Sequence, residues 1–375
     1  MTLNRRQFLR AGLLAGTGVL AGPMINRGRF NLFADERSGR SEHSSRAIEL
    51  VGRSMVIDML GLLTLDWARL YAWQRDPSAF GGSDLQRLRA SGVRVFHPAV
   101  DPDDPNPYQA ALVWLEGWNR LLSRRADSFV RIAGASDLEQ VRKDGGRGRL
   151  GIVVGFQSSD HFRTEDDVAR FHLLGQRVSQ LTYNSRDRLG CGCFEERDTG
   201  ITEFGAQVVA AMNRAGMAVD VSHCSERTSL DAIALSARPV LVTHSNCHAL
   251  VAHPRCKSDA VLRALAARGG VMGLTAVAAF VSPRRTATVE DLLNHFDHVA
   301  RTVGVEHVGI GSDVDLEALD PATGQPLARY AVQGLAPARR VFDLAEGLIR
   351  RGYGDRAIEL ILGGNFQRVL GEVWG

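Results

Sequence analysis

The sequence lacks the motifs of nucleotide sites and of cysteine-bound zinc. Among its 375 residues no G-x-G-x-x-G follows an apolar run, no Walker loop occurs, and none of the five cysteines forms a C-x-x-C pair. A nucleotide cofactor and a zinc knuckle are therefore not expected. Repeats, low-complexity tracts and a Gly/Pro/Ser-rich linker are also missing, which favours one domain over two doubly wound domains.

Little net charge is present outside the first 34 residues. The formal net charge is +3, and residues 1–34 contain five arginines and no acid, so that subtracting these five leaves −2 for the rest. A body this close to neutral has no electrostatic footprint for nucleic acid, and we expect no nucleic-acid partner.

Residues 1–34 have the layout of an export signal. The paired arginines Arg5 and Arg6 precede Phe8 and Leu9, and a short apolar stretch rich in Gly and Ala follows at 11–20. This predicts a twin-arginine signal and a periplasmic or secreted protein, with a Sec signal or an uncleaved anchor as alternatives. The stretch is too short and too weakly apolar for a stable membrane span. Residues 35–46 are predicted to form a polar tail.

An odd number of cysteines is unusual for an oxidising compartment. Cys247 and Cys256 flank one loop and are the pair that could form a disulfide. Cys224 directly follows His223, which leaves a choice between a Cys/His nucleophile and a small buried thiol. We expect the buried thiol, because that is the commoner fate of a free cysteine.

Eight short apolar runs alternate with helical patterns along the chain. The runs span 54–58, 93–96, 151–156, 178–182, 218–222, 240–243, 271–274 and 307–312. Apolar residues recur at helical spacing over 108–122, 165–174, 203–215, 225–236, 259–267 and 289–303. Two terminal helices, over 329–351 and 364–374, are predicted to close over the barrel. Eight such units predict a single (β/α)8 TIM-type barrel over residues 47–375.

A polar residue follows each apolar run, and the carboxyl ends of barrel strands are where such enzymes carry their chemistry. The residues at these ends are Asp58, His97, Gln157, Tyr183, Asn184, His223, His244, Thr275 and Asp313. His223, His244 and Asp313 are a plausible zinc set, and Asp313 could also act as a base for water. Histidines that brace the barrel mouth, and Asp313 as a helix N-cap, are the alternatives.

These residues and their surroundings resemble the membrane (renal) dipeptidase family of metallopeptidases. The resemblance is densest in ITEFGAQVVAAMNRAGMAVDVSH, PVLVTHSNCHALVAHPR, TVEDLLNHFDHVARTVGVEHVGIGSD and LGGNFQRVL. It implies that His223 and His244 bind one metal, and that Asp313 binds a second metal and carries a proton. It also implies that Arg255 holds the C-terminal carboxylate of a dipeptide. Family members cleave such substrates with water activated between two zinc ions.

Several family ligands are replaced in this sequence. Leu60 and Leu62 occupy the positions of the family's first-strand His-x-Asp pair, and Gln157 replaces the glutamate that bridges the two metals. An amide oxygen is a weak neutral ligand, and leucine has no donor atom. Tyr183 stands where a substrate-binding histidine is expected. The remaining set predicts one zinc ion per chain, with Gln157 as a weak ligand.

Two residues are considered as substitutes for the lost ligands. Asp58 precedes Leu60 by two residues and points the same way on a strand. His97 ends the second run. The alternative for both is a structural, hydrogen-bonded role inside the barrel.

The sequence thus predicts an exported, zinc-dependent hydrolase that cleaves dipeptides or a small amide. Arg255, Tyr183 and Asn184 would contact the substrate, and Asp313 would carry the proton. The alternative is a degenerate family member that acts as a periplasmic tailoring enzyme or a non-catalytic binding protein. The expected partner is a small dipeptide-like molecule, and a homodimer is left open.

Overall fold

The computed structural model describes residues 43–145 and 148–375. The predicted signal segment and most of the predicted polar tail lie outside these residues. Helix α1 begins at Ser45, and Ser44 caps it by accepting a hydrogen bond from the Ala47 backbone N–H. The side chain of His43 is buried and packs against Phe342. Residues 43–46, predicted as tail, are therefore part of the folded domain.

Parallel strands form the centre of the fold. In chain order they are β1 (Ile57–Asp58), β2 (Val95–Phe96), β3 (Ala99–Val100), β4 (Phe129–Arg131), β5 (Leu150–Ile152), β6 (Val154–Phe156), β7 (Gln176–Gln180), β8 (Ala218–Asp220), β9 (Leu241–Ser245), β10 (Val271–Leu274), β11 (Ala287–Thr288), β12 (Val308–Ile310) and β13 (Val332–Gln333).

The strand pairing closes into a ring of eight positions. We call each position a stave, which is one strand or two short strands that follow each other in line. Strands β2 and β3 form the second stave, and β5 and β6, separated by Val153, form the third. Each following stave pairs with the next one, and β12 returns to β1 with Ile310 opposite Asp58. The predicted (β/α)8 barrel is confirmed, with β4 as an extra strand beside β5 and a small β11–β13 sheet outside the ring.

Fourteen helices are present in the described ranges. They are α1 (Ser45–Arg53), α2 (Trp67–Arg75), α3 (Gly82–Ala90), α4 (Pro107–Arg124), α5 (Ala135–Asp144), α6 (Asp166–Leu173), α7 (Glu203–Ala215), α8 (Glu226–Leu235), α9 (Asp259–Ala267), α10 (Ala278–Val281), α11 (Val289–Val303), α12 (Arg340–Arg350), α13 (Asp355–Glu359) and α14 (Asn365–Trp374). Four short 3-10 turns and one π-helical turn (Leu360–Gly364) complete the set.

Local signals explain why the predicted helix bounds agree well with the structure. Thr288 caps α11 and forms a reciprocal capping box with Asp291, and α7 ends at Gly216 in the left-handed conformation. The predicted helix over 329–351 is wrong in its first half. Only Arg340–Arg350 is α-helical, because the Ala336–Pro337 step disfavours helix at the residue before proline.

The amino-terminal end of the barrel is closed by α14. Phe366, Val369 and Leu370 from this helix pack with the apolar residues of the staves in one buried cluster. Phe366 lies so close to β12 that a Cβ at Gly309 would be 2.5 Å from its ring, so this position requires glycine. Because α14 closes only the amino-terminal end, the carboxyl-terminal end of the barrel stays open and can hold a site.

The described residues include no helix with the length and apolar character that crossing a membrane requires.

Candidate metal and active site

Two imidazoles converge at the carboxyl ends of the fifth and sixth staves. His223 follows β8 and His244 lies within β9, and their Nε2 atoms are 3.0 Å apart. Both side chains are buried. Burial, and secondarily the charge of Arg255, lowers the pKa of each histidine well below its usual value. Both rings are therefore neutral at physiological pH, and each carries one N–H and one lone pair.

The hydrogen bonds around His244 determine which of its nitrogens carries the proton. Its Nδ1 lies 2.9 Å from the Thr243 hydroxyl, and that hydroxyl donates its single proton to Asp220 over 2.6 Å. Thr243 can therefore only accept from His244, which places the proton on Nδ1. The lone pair of His244 is on Nε2 and points toward His223.

A matching arrangement orients His223. Its Nδ1 lies 2.8 Å from Oδ1 of Asn184, to which the Cys193 thiol also donates. The phenol ring of Tyr183 stacks on the imidazole with centroids 4.2 Å apart and planes 18° apart. The accepting amide oxygen places the proton of His223 on Nδ1, so that its Nε2 lone pair faces that of His244.

Asp220 is the residue behind this arrangement that the sequence analysis missed. Its carboxylate is 2% exposed and accepts from the backbone N–H and hydroxyl groups of both Ser222 and Thr243. Four donors satisfy a buried carboxylate and fix the ends of two neighbouring staves. The available signal was the acidic residue within the otherwise apolar stretch AVDV, because burying a carboxylate there without partners would be too costly.

Arg255 lies next to the histidine pair. The guanidinium donates to the Ser222 carbonyl over 2.6 Å and to the His244 carbonyl over 3.2 Å, and it stacks 5.4 Å above the Phe280 ring. The residue is 2% exposed yet lines the central cavity. A fixed, buried cation at this point suits a substrate carboxylate, and the structure thereby places Arg255 inside the site and not on the outer surface.

Asp313 is held in a conformation that non-glycine residues rarely adopt. It follows β12 with a φ of 59°, and its N–H donates to the Leu60 carbonyl over 2.9 Å. Burial raises the pKa of its carboxyl to about 7, with Arg255 and Arg329 acting in the opposite direction. Strained backbone and a pKa near neutrality are both features of functional side chains.

The central cavity opens at the carboxyl end of the barrel and has a volume of about 1030 Å³. His223, Arg255 and Asp313 line it together with Gln157, Tyr183 and Asn184. The side-chain amide of Gln157 donates to the Ala99 carbonyl over 3.1 Å, and so it bridges the second and third staves. The cavity thus collects the predicted metal-binding and substrate-binding residues, apart from His244, which lies behind His223.

Comparison with known proteins identifies the family. The profile of the membrane dipeptidases, peptidase family M19, matches residues 44–374. The chain belongs to this family.

The chain is also similar to proteins named dipeptidases from a fungus and from a rat. The chain is 29% identical over 311 residues to the dipeptidase verJ of Clonostachys rogersoniana, which covers 78% of the chain and 76% of that protein. It is 28% identical over 304 residues to Dipeptidase 3 of Rattus norvegicus, which covers 78% of the chain and 59% of that protein. The chain therefore spans about three fifths of the length of this mammalian relative.

Solved structures agree with the barrel. An amidohydrolase from Pseudomonas aeruginosa superposes with a TM-score of 0.74 at 28% identity, covering 88% of this chain and 99% of the other. A metallo peptidase from Rhodobacter sphaeroides, bound to a phosphinate mimic of the dipeptide L-Ala-D-Ala, superposes with a TM-score of 0.71 at 22% identity. That alignment covers 85% of this chain and 99% of the other and supports the fold.

The two positions that the resemblance assigns to the first-strand metal ligands are apolar in this chain. Leu60 and Leu62 are buried, and Leu62 packs with Leu65, Val314 and Tyr330 in an apolar cluster beside the cavity. In the two ranges that the structure describes, no three His, Cys, Asp or Glu side chains come together as a metal site. The histidine pair is therefore not joined by Asp313 at ligand distance.

Asp58, considered as a possible substitute ligand, has both of its carboxylate oxygens engaged within the fold. Its Oδ2 accepts from Arg340 Nε over 3.0 Å and from the Ser312 hydroxyl over 2.6 Å, and its Oδ1 accepts from the Ser312 N–H over 2.8 Å. Arg340 and Asp58 are both fully buried. The expectation of a substitute ligand is corrected here, because an ion pair and two hydrogen bonds occupy both oxygens.

His97 also has a structural role. Its Nδ1 lies 2.7 Å from the Met59 carbonyl and so carries the proton. Its Nε2 has no hydrogen-bond partner and lies against Gly155, where a Cβ would be 2.2 Å away. Nδ1 therefore binds the first strand of the ring and Nε2 is buried without a hydrogen-bond partner, so a ligand role for His97 stays a prediction.

The cysteines are all free thiols. Cys247 donates to the His295 carbonyl and Cys256 to the Phe280 carbonyl, so the disulfide considered between them is absent. Cys224 is buried, and burial raises the pKa of its thiol to about 11, which agrees with a structural thiol and not a nucleophile.

Proposed function

We propose that the protein is an exported dipeptidase-type hydrolase that binds one zinc ion through His223 and His244. The observation that carries the proposal is the 3.0 Å approach of the two Nε2 atoms, combined with acceptors at both Nδ1 atoms that assign the ring protons to Nδ1. Two facing lone pairs repel each other, and neutral imidazole is one of the groups that commonly bind Zn²⁺, so a bound cation would relieve this repulsion. The residues present thus offer two ligands for one metal ion, whose other positions would be filled by water or substrate, and the described residues offer no set of ligands for the second ion of the family.

Zinc bound at this pair would supply Lewis-acid activation of water near neutral pH. The chain's own residues then account for the other steps. Arg255 binds the carboxylate of the substrate and fixes the amide relative to the histidines. Asp313 takes a proton from the attacking water and delivers it to the leaving amine, a role for which a pKa near 7 is well matched. Asn184 and Thr243 keep the two imidazoles in the ligating tautomer.

A second function is favoured by one specific observation. The first-strand ligand positions hold Leu60 and Leu62, and no group of three metal-binding side chains occurs within residues 43–145 and 148–375. A protein that keeps the cavity and Arg255 for recognition, and acts as a periplasmic tailoring or binding protein, would show this pattern.

Metal content and dipeptide cleavage distinguish the two functions. Protein purified without chelator is analysed for bound zinc and incubated with L,L- and L,D-dipeptides in the presence of Zn²⁺. The hydrolase predicts one ion per chain and release of free amino acids, with dipeptide amides, which lack the carboxylate, cleaved far more slowly. Absence of both metal and cleavage, with dipeptide binding retained, would support the binding protein.

Export is a separate part of the proposal, and it rests on Arg5 and Arg6 in the first 34 residues. Replacing both with lysine keeps the charge and removes the paired-arginine signal. We expect the variant to stay in the cytoplasm while the parent chain reaches the periplasm or medium, as measured by cell fractionation. Unchanged export would indicate a different signal.

A further inference from the structure

Several large, exposed apolar side chains gather at the mouth of the central cavity. Seven large apolar side chains are exposed in the described parts of the chain, and four of them line this one cavity. They are Trp67, Tyr71, Val113 and Phe194, each between 40% and 57% exposed. Exposed apolar side chains gathered at one opening indicate a binding surface and not chance exposure.

Three of these residues form one continuous surface, which we call the α2–α4 shelf. Trp67 and Tyr71 lie on α2 and Val113 lies on α4, and the two helices pack against each other. Tyr71 and Val113 also line a groove of about 370 Å³ that adjoins the cavity between these helices. The apolar surface therefore continues outward from the cavity, beyond the region near Arg255.

An acidic loop leads directly into the shelf. Asp101, Asp103 and Asp104 follow β3, precede α4 and line the same cavity. Burial together with the charges of Asp103 and Asp160 raises the pKa of Asp101 to about 6, and no described cation opposes this shift. The loop therefore presents a cluster of three carboxyl groups at the wall of the cavity.

The acidic loop and Arg255 lie on opposite sides of the cavity. The loop follows the second stave, and Arg255 follows the sixth stave at β9. Staves that are four positions apart in a ring of eight are diametrically opposed. A ligand with separated charges is therefore oriented with its carboxylate at Arg255 and its cationic group at the loop, next to the shelf.

We propose that the substrate is a dipeptide-like molecule with a bulky apolar, preferably aromatic, residue on its amino side. The free ammonium group of that residue lies against the acidic loop, and its side chain lies on the α2–α4 shelf. This inference rests on the proposed function for the position of the amide. The cavity of about 1030 Å³ is at the upper end of the volume typical of sites for drug-sized ligands, so it has room for such a side chain.

The test measures binding, so that it does not depend on turnover. Phosphinate analogues of Phe-Ala and Gly-Ala, each with a free or an acetylated amine, are titrated calorimetrically into the zinc-supplemented full chain. We expect the Phe analogue to bind about tenfold more tightly than the Gly analogue, because its aromatic side chain buries apolar surface against the α2–α4 shelf. Acetylation, which removes the positive charge, should weaken binding of both.

Variants separate the two parts of the surface. Tyr71→Ser combined with Val113→Ser should remove the preference for Phe and leave affinity for the Gly analogue unchanged. Asp103→Asn combined with Asp104→Asn should weaken only the free-amine analogues. Leu173→Ala, which replaces an 85% exposed side chain that does not line the cavity, is the control and should alter neither.

Each result has a defined meaning. Equal affinity of the parent chain for the Phe and Gly analogues, or no effect of acetylation, would overturn the proposed substrate class. Selective binding without cleavage of the corresponding dipeptides would sustain the substrate class and count against the hydrolase. Cleavage of dipeptides without selective binding of the Phe analogue would support the hydrolase and overturn the proposed substrate class.

Discussion

Nε2 of His223 and Nε2 of His244 face each other across 3.0 Å, and the acceptors at the two Nδ1 atoms assign the ring protons to Nδ1. The proton of His244 is fixed by Thr243, and that of His223 by Asn184. Burial holds both rings neutral. Two lone pairs at this separation are unfavourable in isolation, and a bound cation converts the repulsion into two ligand bonds. Under the proposed function, this pair is the point at which metal binding and folding stability are linked.

Zinc should stabilise the protein through this pair. At a free concentration 100 times its dissociation constant, a ligand that binds only the folded state adds about 2.7 kcal/mol to the free energy of unfolding. We expect this to appear as a higher melting temperature, and His244→Ala should abolish both the shift and the bound zinc. His248→Ala, at an exposed histidine outside the cavity, is the matched control. An equal thermal shift in the His244 variant would contradict the assigned ligands.

Asp220 should control metal affinity without touching the metal. In Asp220→Asn the Thr243 hydroxyl loses the carboxylate to which it donates its proton. It can then donate to Nδ1 of His244 instead, which moves the ring proton of His244 to Nε2. We expect zinc affinity to fall by roughly 10–100-fold, as is typical when a partner of a metal-bound histidine is lost. Thr243→Ser keeps the hydroxyl and should bind zinc almost normally. Equal affinities in the Asp220 and Thr243 variants, measured by competition with a chelating dye, would refute this coupling.

The barrel and the histidine pair were predictable because both follow from local periodic patterns. Helices over 203–215, 259–267 and 289–303 were predicted with the bounds that the structure shows, since each begins at a capping Ser or Thr. His223 and His244 end consecutive apolar runs, and consecutive parallel strands lie side by side. Local sequence is therefore sufficient to bring these two residues to one edge of the barrel.

The partners of Asp58 and His97 were not predictable in this way. Arg340 is 282 residues from Asp58 in the sequence, and it lies in a segment that was predicted as continuous helix. The Met59 carbonyl and Gly155 that enclose His97 come from two other staves. Side-chain pairing across a closed barrel depends on register and packing, which no single segment encodes. The structural contacts of both residues were therefore not visible in the sequence.

The buried Asp58–Arg340 pair should be important for stability and irrelevant for metal binding. Arg340→Met leaves a fully buried carboxylate without its cation, and we expect the free energy of unfolding to fall by about 3–5 kcal/mol. Combining it with Asp58→Leu should cost less than the sum of the two single changes. Arg350→Met, at a pair in which both side chains are 54% exposed, should cost no more than about 1 kcal/mol. Denaturant titration of the two single variants, the double variant and Arg350→Met measures these free energies. Loss of bound zinc in Asp58→Asn would contradict this prediction and would make Asp58 a ligand.

Asp313 should show opposite effects on stability and activity as the pH rises. Burial raises the pKa of its carboxyl from 3.8 to about 7, so the folded state binds this proton more tightly than the unfolded state. Above pH 7 the ionised carboxylate therefore lowers the free energy of unfolding. This destabilisation disappears as the pH falls from 7 toward 4, because the carboxyl group becomes protonated in the folded state. Asp313→Asn should therefore raise the melting temperature of the metal-free protein at pH 8 and leave it unchanged near pH 4.

The activity of the same variant should change in the other direction. If the carboxylate accepts the proton of the attacking water, kcat/KM of the parent chain rises with pH through about 7. Asp313→Asn should lower kcat by roughly 10²–10⁴-fold, the usual contribution of a general base, and remove this limb of the pH profile. A residue that only shapes the loop after β12 would alter stability alone. Full activity in a variant that is more stable at pH 8 would thus assign Asp313 to the fold and leave the proton transfer to another group.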